Sequence, residues 1–379
     1  MRRLSLLCGM QVSAFQPPNR LLLGPGPSNA APSVLKAMSQ PLLGHLDPLF
    51  VRMMDEIKVM LRQAFLTKNE MTFPVSGTGS AGMEFCLVNL IEPGDEVIVC
   101  VNGYFGARLA EIADRCGARV TKIESPWGRV IEPQQVADAL KNARPKLVAV
   151  VQAETSTGVL NPIEEISGIV RGAGALLVVD AVTSLGACPV KVDEWQIDAI
   201  YSCTQKGLSA PPGLAPVSFG PRAMEVATKR KRKVQSWYLD VNLLASYWGQ
   251  ERVYHHTAPI SMNYAIHEAL RLVIEEGLDK RWQRHEQNHL ALKRGLEAMK
   301  LQIPSQTGHQ LWQLNAISVP TGVDEAVVRK RLLDEFNVEI GAGLGPLKGK
   351  IWRVGLMGEN SRPQVVETFL DAMEIVLRA

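Results

Sequence analysis

Two short apolar runs each end on a residue able to do chemistry. Ala175-Leu-Leu-Val-Val179 runs into Asp180, and Ala199-Ile-Tyr-Ser202 runs towards Lys206 inside the small-residue turn Cys203-Thr-Gln205-Lys206-Gly207. A lysine amine attacks a carbonyl carbon and forms a Schiff base with it. A carboxylate nearby holds a proton on a ring nitrogen, which lets an aromatic ring accept electrons. Taken singly, a strand-end Asp reads as a helix cap and a Lys as a solvated surface charge. Presented to one crevice, the pair makes a site for an aromatic aldehyde cofactor.

Other stretches point to the same place. Phe73-Pro-Val-Ser76 leads into Gly77-Thr78-Gly79-Ser80-Ala-Gly82, and a helix is predicted over 81–90. Free backbone N–H groups and the positive dipole end then lie at the turn, a phosphate site in outline. Gly77, Gly79 and Gly82 also echo a dinucleotide fingerprint, whose acidic partner must end a second strand. Glu96 is at about that distance but opens its strand, which weighs against a nicotinamide oxidoreductase. Phe105, in Asn102-Gly-Tyr-Phe-Gly106, stands at a strand-to-helix corner, placed for ring stacking or for core packing. Glu154-Thr155-Ser-Thr-Gly158 follows the apolar run 147–152. Arg353 lies on an otherwise apolar strand predicted over 351–356, and a buried guanidinium there needs a carboxylate from the protein or from a substrate. His255 and His256 are adjacent with no third ligand nearby, so they are set aside as a metal site.

The elements that must carry these residues alternate strand and helix, predicting an α/β fold with a mostly parallel sheet and right-handed crossovers. Ligands of such sheets bind beyond the carboxyl ends of the strands. Ser76–Ser80, Phe105, Thr155, Asp180 and Lys206 all follow apolar strand runs, so five segments converge on one edge. From about Leu278 the pattern changes to a long amphipathic helix over 279–299, then short strands and helices. The expected division is a leader over 1–20, a large domain over 21–277 and a small C-terminal α/β domain over 278–379. Ser28 or Asn29 is expected to cap a helix over 31–38. Gly341-Ala-Gly-Leu-Gly345-Pro346 reads as a flexible loop and Lys229-Arg-Lys-Arg-Lys233 as a solvated one.

Composition narrows the function classes. The 379 residues are 46% hydrophobic and 21% charged with a formal net charge of +3, too small to make nucleic acid or an anionic membrane the main partner. Six cysteines form no CxxC and no Cys/His cluster, which argues against zinc or iron–sulfur and for a reducing, cytoplasmic setting. No apolar run reaches the length of a membrane span. The start, Met1-Arg-Arg-Leu-Ser-Leu-Leu-Cys8, has too short an apolar segment for a secretion signal. It is expected to be a disordered leader, with Met10 an alternative start.

Gly24-Pro-Gly-Pro27, Ser76-Gly-Thr-Gly79, Glu154-Thr-Ser-Thr-Gly158, Val179-Asp-Ala-Val-Thr-Ser184, Gln205-Lys206, Tyr254-His-His-Thr257 and Arg353 occur in one order and at one set of spacings. That set resembles the class V aminotransferases of fold type I, closest to the alanine–glyoxylate and serine–glyoxylate enzymes, and covers Leu21 to the C-terminus. The resemblance implies pyridoxal 5′-phosphate as cofactor and a ping-pong transfer of an amino group from alanine or serine to glyoxylate or pyruvate. By the same resemblance, Lys206 would form the Schiff base and carry the Cα proton, and Asp180 would pair with the ring nitrogen. Val182 and Phe105 would cover the two ring faces, and Thr155 would meet the ring hydroxyl. Thr78, Gly79 and Gln205 would hold the phosphate. Some relatives carry His where this chain has Ser80, which leaves the contact of Ser80 open. Tyr254 and Thr257 would reach the phosphate of a second subunit, implying a homodimer with shared sites. Arg353 would clamp the substrate carboxylate and Gly26 would line the substrate pocket. Phosphoserine and aminoethylphosphonate aminotransferases share this scaffold and stay as alternatives, as does a non-catalytic, hydrogenase-associated subunit. A cysteine desulfurase is excluded, because no Cys follows Cys203.

Overall fold

Alternate residues of the central strands pack on opposite faces of one sheet. Val97, Val99, Leu147, Ala149, Leu176 and Val178 share one core cluster, and Ile98, Cys100, Val148, Val150, Leu177 and Val179 share another. Strands buried on both faces read as continuous apolar runs, the mark of a sheet covered by helices on each side. The computed structural model describes residues 13–378. Residues 1–12, which include Met1–Cys8 and Met10, and residue 379 lie outside it.

The sheet has seven strands in the spatial order Met71–Ser76, Leu214–Phe219, Ala199–Tyr201, Leu176–Asp180, Leu147–Val151, Glu96–Val101 and Arg119–Glu124. Leu214–Phe219 runs antiparallel to both its neighbours, and the other adjacent pairs are parallel. This is the mostly parallel α/β sheet expected. A second sheet of four strands orders as Leu21–Leu23, Val338–Ala342, Ile351–Gly355 and Leu314–Ser318. Its core is built from Leu292, Leu296, Trp352, Val354, Phe369 and Met373, which the helices Leu278–Ala298 and Pro363–Arg378 help supply.

Several local expectations change. Leu21–Leu23 pairs in register with Val338–Ile340, so it belongs to the smaller sheet although the larger unit was expected to begin at residue 21. The chain then crosses to the larger sheet through Gly24–Pro27. Ser28 and Asn29 do not cap the helix Pro32–Met38, whose N-cap is Ala31. Asn29 accepts instead from Leu22 N and donates to Arg20 O. Gly341 and Ala342 are strand residues rather than loop. Helices Pro221–Thr228 and Val241–Trp248 escaped the periodicity reading, because each has only 8 residues. The basic run is more than a solvated loop. Arg230 donates to Asn89 O and Ile91 O, and Glu92 accepts from Lys231 N and Arg232 N. The run therefore closes the carboxyl end of the helix Gly79–Leu90, where cations are favoured.

Candidate active site

Asp180 ends its strand with its carboxylate 3% exposed. Oδ1 accepts from Val182 N at 2.8 Å, and Oδ2 accepts from the Tyr201 hydroxyl at 2.7 Å. Burial raises this carboxyl to about 7, against the lowering effect of those two bonds. A carboxylate so placed is short of positive charge, and a cationic ring nitrogen would supply it. Lys206 lies in the turn after the neighbouring strand Ala199–Tyr201. Its Nζ donates to Pro25 O, and burial lowers the amine below the usual lysine range. An amine lowered in this way has a larger neutral fraction, the form that takes up a proton or attacks a carbonyl.

The lysine turn is pinned from several sides. Ser28 Oγ donates to Lys206 O at 2.9 Å, and Arg281 Nη2 donates to Gly207 O at 2.7 Å. Arg281 also donates to Gly186 O at 2.8 Å and pairs with Glu276, which Arg284 shares. Burial alone would raise the Glu276 carboxyl, but the bonds and charge of Arg284 and Arg281 carry it down to about 2. Because the folded value lies below the unfolded 4.5, this stabilisation is complete above about pH 4.5 and disappears as pH falls towards 2. Glu276→Gln should cost about 2 kcal/mol at pH 7. Thermal melts should show the gap between variant and wild type closing between pH 4.5 and 2.

Thr78, Gly79, Ser80, Phe105, Thr155, Asp180, Val182, Gln205 and Lys206 line one cleft of about 150 Å³. Thr78 is the N-cap of the helix Gly79–Leu90, and its side chain makes no capping bond. Gly79 and Ser80, the first residues of that helix, line the cleft with no side-chain cap on their N–H groups, and such a helix start is an anion site. Gly79 is tightly packed, since a Cβ would stand 3.0 Å from Cys203 Cβ and 3.3 Å from Val182. The Gln205 amide oxygen is buried without a partner among the described residues, an unspent polar group beside the lysine.

Phe105 is held by a buried carboxylate. Glu154 accepts from Phe105 N and Gly106 N through one oxygen, and from Ser156 N and Ser156 Oγ through the other. It thus satisfies the first turn of the helix Tyr104–Arg115. Arg108, four residues from Tyr104 on that helix, also lines the cleft, 5.0 Å from the Phe105 ring centroid and 3.4 Å from Ser80 Oγ.

Gly26 and Arg353, from the crossing loop and the smaller sheet, lie beside the cleft rather than in its lining, Gly26 against Lys206 and Arg353 against Thr155. Gly26 has φ +108°, and a Cβ there would collide with the Lys206 side chain. Arg353 is 6% exposed; its Nε donates to Ala342 O at 2.7 Å, and Nη1 lies 3.4 Å from Thr155 O. No carboxylate lies within ion-pair distance of it among the described residues. Burial lowers the guanidinium to about 10, which the charge of Glu154 offsets in part. Tyr254 and Thr257 are not in the cleft. Both are exposed, and Tyr254 packs on His45 at 5.2 Å. His255 and His256 bond through their Nδ1 atoms at 2.8 Å, and His256 Nε2 is 2.7 Å from Ser76 Oγ.

Tyr201, Glu154 and Arg108 were given no role from the sequence. Arg108 falls one helical turn after Tyr104, which places it on the face of the aromatic corner. Tyr201 and Glu154 gave no such local signal.

The model of the family "Aminotransferase class-V" matches residues 21–369. The chain is 41% identical to the (S)-ureidoglycine–glyoxylate transaminase of Bacillus subtilis, across 95% of this chain and 91% of that protein. It is 39% identical to the alanine–glyoxylate aminotransferase of Mus musculus, across 95% and 88%. The crystal structure of an alanine–glyoxylate aminotransferase from Nostoc sp. superposes with a TM-score of 0.96 at 50% identity, covering 97% of this chain and 98% of that one. With an amine and a carboxylate at one cleft of this scaffold and a buried guanidinium beside it, the chain belongs to the class V aminotransferase family and is a transaminase.

Proposed function

We propose that the chain is a pyridoxal 5′-phosphate-dependent transaminase that moves an amino group from alanine or serine to glyoxylate or pyruvate by a ping-pong mechanism. The observation that carries this reading is the convergence of the buried Lys206 amine and the buried Asp180 carboxylate on one cleft, with the Arg353 guanidinium beside it at the Thr155 carbonyl. The residues present fit the cofactor. Among the described residues Asp180 has no ion-pair partner and the Gln205 amide oxygen has no hydrogen-bond partner, and the start of the helix Gly79–Leu90 is an anion site.

When bound, pyridoxal phosphate supplies an aldehyde carbon for the amine and a ring that takes up the electron pair left when the Cα–H bond breaks. Arg353 holds the amino acid by its carboxylate and so orients its Cα–H bond. Lys206, whose burial favours the neutral amine, takes the proton from Cα and later returns it. Asp180 keeps a proton on the ring nitrogen. Phe105 and Val182, which line the cleft, would hold the ring and exclude water, and Thr155 would hold its hydroxyl. Thr78, Gly79 and Gln205 hold the phosphate, with Ser80 beside them. Gly26 leaves room for the substrate against Lys206.

A cytoplasmic homodimer is part of the same proposal. Tyr254 and Thr257 are exposed rather than turned into their own cleft, which suits a role at the phosphate of a second subunit. The five described cysteines are free, and no helix among the described residues is long and apolar enough to cross a membrane.

The similarity to the Bacillus ureidoglycine enzyme favours (S)-ureidoglycine as a second candidate donor, with glyoxylate as acceptor in both cases. A donor panel of alanine, serine, (S)-ureidoglycine and phosphoserine against glyoxylate and pyruvate tests the reading. Glyoxylate should be the better acceptor, with one donor ahead of the rest by tenfold or more in kcat/KM, the scale of a few pocket contacts. Preference for phosphoserine, or no turnover of any pair by cofactor-loaded protein, would overturn it.

A further inference from the structure

Asp180 and Tyr201 are register partners on neighbouring parallel strands. Val178 and Ala199, two residues before each, pack in the same core cluster as Tyr201. Both side chains therefore leave the sheet on the same side. Tyr201 is fully buried, and its hydroxyl donates to Asp180 Oδ2 at 2.7 Å. Burial and the adjacent Asp180 charge push the phenol well above its ordinary value, so it stays a donor. An ionised carboxylate offers about four lone-pair positions. Tyr201 and Val182 N occupy two, which leaves capacity for a group in the cleft.

We propose that Tyr201 is a positioning residue whose hydroxyl draws charge from Asp180, so that in a pair between Asp180 and the cofactor's ring nitrogen the proton stays on the nitrogen. This rests on the pyridoxal phosphate reading above. The shared proton resides on whichever partner is the more basic. Burial and the Glu154 carboxylate push Asp180 towards holding it; the Arg108 guanidinium opposes this, Lys206 stands nearby with its amine lowered by burial, and the Cys86 and Cys203 thiols are kept neutral by burial. The Tyr201 hydroxyl is the direct side-chain donor on the other side of that balance. Without it Asp180 becomes the stronger base, and the ring loses its proton and with it much of its capacity to take up electrons.

The test uses holoenzyme loaded with pyridoxal phosphate labelled with 15N at the ring nitrogen. In Tyr201→Phe the 15N shift should move towards the unprotonated value, and kcat should fall about tenfold with little change in KM for the donor, the scale of one charged hydrogen bond. Replacement of Tyr201 by 3-fluorotyrosine, a more acidic phenol of nearly the same shape, should move the 15N shift the other way. That arm decides the matter if the phenylalanine variant does not fold. A merely structural tyrosine would change the thermal midpoint and leave the 15N shift in place, and a wild-type shift in the variants overturns the proposal. Wild-type protein that takes up no pyridoxal phosphate would overturn the parent reading; a loaded, active wild type beside unshifted variants would overturn this inference alone.

Discussion

Lys206→Ala is expected to lower transamination by at least about a thousandfold, because one change removes both the carbonyl-seeking amine and the proton carrier. The fold should survive it. The Lys206 amine makes one hydrogen bond, to Pro25 O, while the turn around it is held through backbone atoms by Ser28 and Arg281. Lys206→Arg should rescue nothing, since a guanidinium restores the charge but neither attacks a carbonyl nor gives up its proton. Wild-type activity should rise with pH as the amine deprotonates, and burial places that rise below the usual lysine range. Single-turnover assays on cofactor-loaded protein, with circular dichroism as the folding control, measure the loss. Borohydride treatment followed by peptide mass mapping should place the cofactor's mass on Lys206. Retention of a tenth of wild-type activity by the alanine variant, or a label on another lysine, would contradict the assignment.

Arg353→Met should separate binding from stability. With the guanidinium gone, kcat/KM for the amino acid is expected to fall about a hundredfold or more, mostly through KM, since a charge-assisted, two-point contact to a buried carboxylate is lost. Arg353→Lys should recover little, because a point charge cannot reproduce the planar fork. The substrate-free variant should melt no lower than wild type. Arg353 is buried with two backbone acceptors and no carboxylate partner among the described residues, so its desolvation is borne there without an ion pair in return. Amines that lack the carboxylate should react equally slowly with both proteins. A variant that loses stability and keeps its KM would show Arg353 to be a scaffold residue rather than the substrate clamp.

What was legible without coordinates was what local chemistry dictates. The short continuous apolar runs marked the strands. The strand-end rule brought Asp180, Lys206, Thr155 and the Thr78–Ser80 turn to one edge. The burial of an arginine on an apolar strand marked Arg353. Each of these signals lies within a few residues of its neighbours in the chain. The contacts that tune the site do not. Tyr201 reaches Asp180 only because the two strands pair in that register. Ser28 left its expected cap for a carbonyl 178 positions away. Leu21–Leu23 joined a sheet whose other strands come from the far end of the chain. Arg281 holds the lysine turn across 74 positions. Periodicity and turn chemistry are properties of neighbouring residues, and the amino-acid order determined them alone. Which distant donor meets which acceptor depends on the register and packing of whole elements, and only the tertiary structure decided it.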